Sequence, residues 1–183
     1  MNTIIHEIVE KITIDMKNNL EDLILDSKDI SKFILNTANT LDKIGVKIVK
    51  EALEMLDKTI RDSSRRKEEY YIQRRNDKKT LITKFGEVNY QRTYYKNKKD
   101  GTYEYLSDTM VGIKPYERMD LSHESELIKE SLDNSYHKSG KKVSPNTQVT
   151  KQTVLNSIRR LGNVENDDAK IKLKKKEVKI IYI

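Results

Sequence analysis

Between Ile30 and Ile60 apolar side chains return at helical spacing without interruption: Ile30, Phe33, Ile34, Leu41, Ile44, Ile48, Ala52, Met55, Leu56 and Ile60, with charges between them. A stripe of that length, close to a seven-residue repeat, demands a long helix that buries one side against another helix. The preceding segment supplies a candidate. Ile4, Ile5, Ile8, Val9, Ile12 and Met16 recur at the same spacing, and Leu20, Leu23 and Ile24 continue the line. Asp26-Ser27-Lys28-Asp29 breaks the pattern, with Ser27 or Asp29 suited to cap the second helix. The expectation is an N-terminal helical hairpin, or a coiled-coil arm that pairs with a second chain as a homodimer through residues 1–60. Packing of the two helices on each other is the simpler of the two. Gly45 costs the long helix about 1 kcal/mol relative to Ala.

The charge of the chain is uneven. Of 183 residues 36% are charged and 36% hydrophobic, with a net charge of +7. Such a balance favours extended helices and small modules over one large core. Residues 1–60 carry a net −3, residues 61–99 a net +8, and residues 100–183 a net +2. A second basic excess lies in Ser131–Arg160, where Lys138, Lys141, Lys142, Lys151, Arg159 and Arg160 face Asp133 alone. Clustered positive charge points to a polyanion as partner, because neutralised phosphates release counterions.

Several classes are excluded. The chain has no cysteine, so disulfides and thiolate metal sites are impossible. No apolar run approaches the roughly 18–20 residues that span a bilayer, and the N-terminus does not read as a secretory signal. A cytoplasmic protein without membrane partners is expected. His6, His123 and His137 have no metal-ligand spacing, Asp167-Asp168 sits in a polar linker, and no glycine-rich phosphate loop is present. No nucleophile–base pair can be named, so no catalytic residue, metal site or cofactor is expected in this chain.

From Arg61 to Asp77 the stripe fades into a basic stretch, read as the helix running on and then a connector. The period then changes. Thr80–Phe85 and Val88–Tyr95 are rich in β-branched and aromatic residues, with Gly86-Glu87 as the turn between them. Asp100-Gly101 marks a second hairpin before Thr102–Leu106. A three-stranded antiparallel β-meander follows, with Phe85, Tyr90, Tyr94, Tyr103 and Tyr105 as cross-strand aromatics. Seven of the ten tyrosines lie between Tyr70 and Tyr105. Most serve the sheet. Exposed rings beside Arg92 and Lys96 are suited to touch sugar or bases.

Residues 107–120 read as a loop, and Ser122 or His123 as the start of a helix with Leu127, Ile128, Ser131, Leu132 and Tyr136 on its apolar face, broken or kinked at Ser139-Gly140. Ser135–Val143 is short, basic and helix-like, and Ser144-Pro145-Asn146-Thr147 is turn chemistry. Val149–Leu161 forms a second helix, with Thr150 as N-cap and Val154, Ile158 and Leu161 buried. Two short helices around a turn match a helix-turn-helix, whose second helix meets base edges while flanking cations hold phosphates. Candidate DNA contacts are Lys141, Lys142, Thr150, Lys151, Gln152, Thr153, Asn156, Arg159 and Arg160, with Arg92 from the meander. Gln and Asn pair bidentately with adenine, Arg or Lys with guanine. Gly162–Lys176 reads as a linker, and Val178–Ile183 as a buried strand with no following neighbour.

Thr83–Val88, Arg92–Tyr95, Gly101–Tyr103, Ser135-Tyr136 and Thr153-Val154, together with the lysine-rich exit into Val178–Ile183, resemble the N-terminal half of ISLre-type insertion-sequence transposases, relatives of which form an uncharacterised protein family. The resemblance covers essentially the whole chain. It implies that Val178–Ile183 is the first strand of an RNase-H-like catalytic domain whose acidic residues follow it. None of those residues has a counterpart here. The chain is therefore expected to recognise double-stranded DNA without cutting or joining it, while a full-length relative would use Mg²⁺. The expected fold is α+β and mainly α. It comprises a helical arm over 1–77, the meander and loop over 78–120, the helix-turn-helix over 121–163, and a linker with the first strand of a truncated domain over 164–183. The alternatives are a complete non-enzymatic helix-turn-helix regulator and a coiled-coil interaction protein.

Overall fold

The computed structural model describes residues 2–162 apart from 145, 146 and 148. The expected linker and terminal strand over 164–183 lie outside the described residues. The fold is α+β and mainly α, with one three-stranded antiparallel sheet among the described residues.

Helix α1 (Asn2–Glu21) and helix α2 (Ile30–Asp62) form the expected hairpin. Asn19 donates to Thr40 Oγ1 at 3.4 Å, and Lys47 lies 3.9 Å from Glu7. Near the connection Lys32 pairs with Asp22 at 3.0 Å. α1 passes into a π-helical turn over Asp22–Ser27, and Asp29 caps α2 by accepting from Ser31 N and Lys32 N.

α2 stops at Asp62 instead of running on. Ser63 turns extended and caps a short helix, α3 (Ser64–Glu69). Strand β1 (Tyr70–Thr83) begins directly after it. The stretch read as helix and connector is therefore a second helix and the first half of a strand, and the boundary expected at 77 falls inside β1. The reason lies in the pairing. Tyr70 and Tyr71 sit opposite Asn97 and Lys96 on β2 (Gly86–Asn97), and that ladder outweighs the helical propensity of the charged residues.

The β1–β2 turn is Lys84-Phe85, earlier than the expected Gly86-Glu87, with Thr83 opposite Gly86. Gly86 belongs to β2 and has φ +125, a value that favours glycine. The register shifts between Ile72 and Arg74 and again between Arg74 and Asp77, which bends β1. β3 is short, Tyr103–Glu104, opposite Lys96 and Tyr95. Farther along β2 the helix takes over the edge. Gln91 N donates to Glu54 at 2.9 Å, and Thr93 N donates to Asp57 at 2.8 Å. Two strand N–H groups are thus satisfied by carboxylates of α2.

One core joins α2 to the sheet through Leu53, Leu81, Val88 and Tyr90, with Val46, Val49 and Ile113 beside them. Tyr94 stacks on Tyr103 and packs at a tilt against Tyr105, as expected of cross-strand aromatics. Phe85 instead packs against α2 at Gly45. Residues 107–120 are not wholly loop, because Leu106–Met110 forms helix α4. The chain then returns to the sheet. Ile82 N donates to Arg118 O at 2.7 Å and Asp120 N to Ile82 O at 2.9 Å, making a parallel bridge at Met119. Met119 opens a second core with Leu127, Val149 and Val154, against which Ile82, Val143 and Ile158 pack. Ile82 therefore couples the sheet to the three helices that follow.

Candidate nucleic-acid interface

Three helices form the unit that the sequence marks for DNA: α5 (Leu121–Asp133), α6 (Tyr136–Val143) and α7 (Lys151–Arg160). α5 starts at Leu121, just ahead of the expected Ser122 or His123, and is capped by Asp120. The Asp120 carboxylate accepts from both of their backbone N–H groups. Leu132 lies within α5 but points to solvent, and Tyr136 lies beyond its end at Asp133 and is also exposed, so neither belongs to a buried face of α5.

Gly140 lies inside α6 and breaks nothing. A Cβ there would lie 2.6 Å from the Val149 carbonyl oxygen. Only a glycine lets the segment entering α7 rest on α6 this closely. Thr150 caps α7 by accepting from Thr153 N at 3.2 Å, as the sequence implied. Such a cap contributes about 1 kcal/mol. Val154 and Ser157 are buried and Ile158 is partly buried, while Leu161 is 52% exposed, contrary to the expectation that it is buried.

His123 is fully buried at the base of the unit. Its Nε2 meets Ser144 Oγ at 2.6 Å, joining α5 to the residue that follows α6. Burial lowers its pKa below the ordinary 6.5, against the opposing pull of Glu126 and Asp120. Burial thus favours the neutral imidazole.

The outward side of α7 carries Lys151, Gln152, Asn156 and Arg159, all exposed. Positions 152, 156 and 159 follow i, i+4, i+7 spacing and share one stripe. Gln152 Nε2 donates to Asn156 Oδ1 at 3.0 Å, which holds both amides in one orientation. Among the described residues neither Lys151 nor Arg159 is ion-paired. Lys141 is exposed at the end of α6. The outward side of α7 thus carries both cations and amides.

The other expected contacts are placed differently. Lys142 pairs with Glu130 at 2.5 Å across α5 and α6. Arg160 bonds the largely buried Glu124 carboxylate and Ser157 Oγ, tying α7 to α5. Thr150 and Thr153 are occupied by the cap. Arg92 serves a different purpose. Its guanidinium pairs with buried Asp108 and lies over the Tyr105 ring, 3.4 Å from the centroid. Asp108 also accepts from Tyr90 at 2.7 Å and pairs with Lys79 at 3.5 Å. Burial pushes the Tyr90 phenol up to about 12, with Arg92 pulling the other way. Arg92 is a strut beneath the sheet, with no free donor face comparable to that of Lys151 or Arg159.

A groove of about 980 Å³ opens beside this strut, lined by Arg74, Lys78, Tyr94, Tyr103, Tyr116 and Arg118 among others. Several of the cations around it are already engaged. Arg74 pairs with Asp77 and lies over Tyr94, and Lys79 and Arg92 pair with Asp108. Among the described residues no group of three or more His, Asp or Glu side chains is arranged to hold a metal ion, and no helix is long and apolar enough to cross a membrane.

Sequence reasoning missed the structural roles of Asp57, Asp108, His123 and Gly140. A lone buried carboxylate or glycine carries no local pattern that separates it from an exposed one.

The model of an uncharacterised protein family, UPF0236, matches residues 26–183. A UPF0236 protein of Caldanaerobacter subterraneus subsp. tengcongensis, whose name joins eleven locus designations, is 38% identical over 172 residues, 93% of this chain and 36% of the relative. Two further UPF0236 proteins of the same organism are 38% identical over 163 residues, covering 88% of this chain and 34% and 32% of their own lengths. The chain spans about a third of the length of the curated relatives it matches. No solved structure matches it.

Proposed function

The chain belongs to the uncharacterised protein family UPF0236, and from that premise we propose that it is the DNA-recognising portion of an insertion-sequence transposase. The observation that carries this reading is the outward side of α7. Gln152, Asn156 and Arg159 share a stripe with Lys151 beside it, opposite buried Val154 and Ser157, on a helix seated across α5 and α6. A helix offered this way enters the major groove with its amides and guanidinium toward base edges, while Lys141 and Lys151 reach phosphates.

Two further facts support it. The +8 of residues 61–99 adds a long-range field that draws DNA in. One relative's name joins eleven locus designations, the repetition expected of an element that copies itself within a genome. The reading assigns recognition of element ends to this chain and no catalytic step. The Mg²⁺ chemistry implied by the resemblance would belong to parts of a full-length relative. A homodimer through residues 1–60 would present two α7 surfaces to paired half-sites.

The test is a fluorescence anisotropy titration of the chain against duplexes from the flanks of its own coding region. Salt-sensitive binding is expected, tighter for flank sequence than for shuffled duplex. Absence of affinity at low salt overturns the reading.

A further inference from the structure

The groove of about 980 Å³ over the sheet belongs to none of the α7 chemistry. Its floor is short of acceptors. Lys79 lines it with only 7% of its side chain exposed, its Nζ 3.5 Å from Asp108 Oδ2. That carboxylate is already shared, because Tyr90 donates to Oδ1 and Arg92 holds Oδ2. One carboxylate thus serves two cations, and Arg92 Nε is buried with no hydrogen-bond partner among the described residues. Burial and the neighbouring Arg92 bring the Lys79 amine down to about 8, with Glu117 opposing.

The rim adds charge that nothing claims. Lys78 and Arg118 line the groove and are exposed, and among the described residues neither is ion-paired. The acids beside them are mostly engaged. Glu104 accepts from Tyr70 at 3.0 Å and from Thr109 at 3.2 Å, and Glu117 accepts from Lys114 N at 2.9 Å. Glu87 alone stays exposed on the rim without a partner among the described residues.

Aromatic rings stand beside these cations. Tyr105, Tyr94 and Tyr103 form a ladder with centroids 4.7 and 5.6 Å apart, and its outer ring, Tyr103, is 50% exposed. Tyr116 lines the same groove and is wholly exposed. Its φ is +64, a left-handed backbone that large side chains rarely adopt, and it touches no other ring among the described residues. A tyrosine so placed contributes nothing to either core.

We infer that this groove holds an unpaired strand of DNA, with bases stacked on Tyr116 and Tyr103 and phosphates held by Lys78, Arg118 and the Lys79 ammonium. Bare ring faces beside unclaimed cations suit a single strand, because every base offers a π-face and every link a charge. A duplex does not fit this role, since its bases are already stacked on one another and must leave the helix to meet a side-chain ring. The inference rests on the DNA reading for the nature of the partner. It uses no residue of α5, α6 or α7, so the two fail separately, and Arg92 stays a strut.

The test is an anisotropy titration of the whole chain with a short labelled oligothymidine, which forms no duplex. Salt-sensitive binding is expected. Tyr116→Ala should weaken it about fivefold or more, the lower end of what one stacked base contributes, while Tyr116→Phe keeps it. The double variant Lys78→Ala, Arg118→Ala should reduce the slope of log affinity against log salt by about 0.7 for each phosphate released. Tyr136→Ala, an exposed ring outside the groove, should bind as the wild type does. Each of these substitutions changes an exposed side chain, so the fold is kept. Absence of affinity for oligothymidine overturns the inference, as does wild-type binding by both Tyr116→Ala and the double variant. Tighter binding of oligouridine would overturn the choice of DNA. Oligothymidine binding that persists when duplex from the flanks is not bound would overturn the α7 reading alone.

Discussion

Gly45 of α2 faces the Phe85 ring of the β1–β2 turn so closely that a Cβ at position 45 would lie 2.5 Å from ring carbons. The glycine that weakens the helix is the one that lets the sheet approach it. Gly45→Ala should gain about 1 kcal/mol of helix propensity and lose about 1–3 kcal/mol to overpacking. A net loss of stability is expected in urea denaturation. The substitution should become stabilising when Phe85→Ala is present as well. A cost that persists without the ring would show that the Phe85 ring is not its cause.

Asp57 should be the most sensitive position in α2. Its carboxylate accepts from Thr93 N, from Thr93 Oγ1 at 2.7 Å and from Ser107 Oγ at 3.3 Å. Asp57→Ala leaves a buried strand N–H without a partner, a loss of about 1–3 kcal/mol beyond that of the carboxylate's own bonds. Hydrogen exchange at Thr93 should accelerate before that at Val88. Uniform acceleration would mean that the helix does not guard this edge.

These two positions show what is legible in the sequence. The hairpin, the meander and the two helices around a turn can be read because each rests on a period, of 3.6 or of two. Gly45 and Asp57 read as liabilities, a helix weakener and one more charge. Their roles arise from residues 40 and 36 positions away along the chain, Phe85 and Thr93. The start of β1 is hidden for the same reason, because the pairing of Tyr70 with Asn97 is not visible from Tyr70 alone. On α7 the candidates at 151, 152, 156 and 159 come together because a helix fixes their spacing. Arg92 and Arg160 look equivalent to them in sequence, but Asp108 and Glu124 claim their charge.

Burial of His123 should make the unit of α5, α6 and α7 acid-sensitive. Its folded pKa lies below the unfolded 6.5, so below pH 6.5 the unfolded chain holds more protons and stability falls as pH falls. Thermal melts at pH 7.5 and at pH 5.5 should differ more for the wild type than for His123→Gln, whose amide can still reach Ser144. Parallel pH dependences would place the acid sensitivity elsewhere.

On α7, Gln152→Ala should relax base preference with little change in salt dependence, since a bidentate amide contact discriminates by about 1–3 kcal/mol. Competition with single-base variants of a preferred duplex reads this directly. An unchanged preference would remove Gln152 from the base-reading set.

Arg159 and Arg92 provide the sharpest contrast, because both are basic and only one faces outward. Arg159→Ala should weaken binding and reduce the slope of log affinity against log salt by about 0.9 for each phosphate that the side chain neutralises. Arg92→Ala removes a cation from buried Asp108 and from the Tyr105 ring. Breaking one partner of a buried pair costs about 3–5 kcal/mol, lessened here because Lys79 remains 3.5 Å from the same carboxylate. Its melting temperature should therefore fall, while the salt slope of the protein still folded stays at the wild-type value. A reduced slope for Arg92→Ala with unchanged stability would move the DNA path onto the sheet.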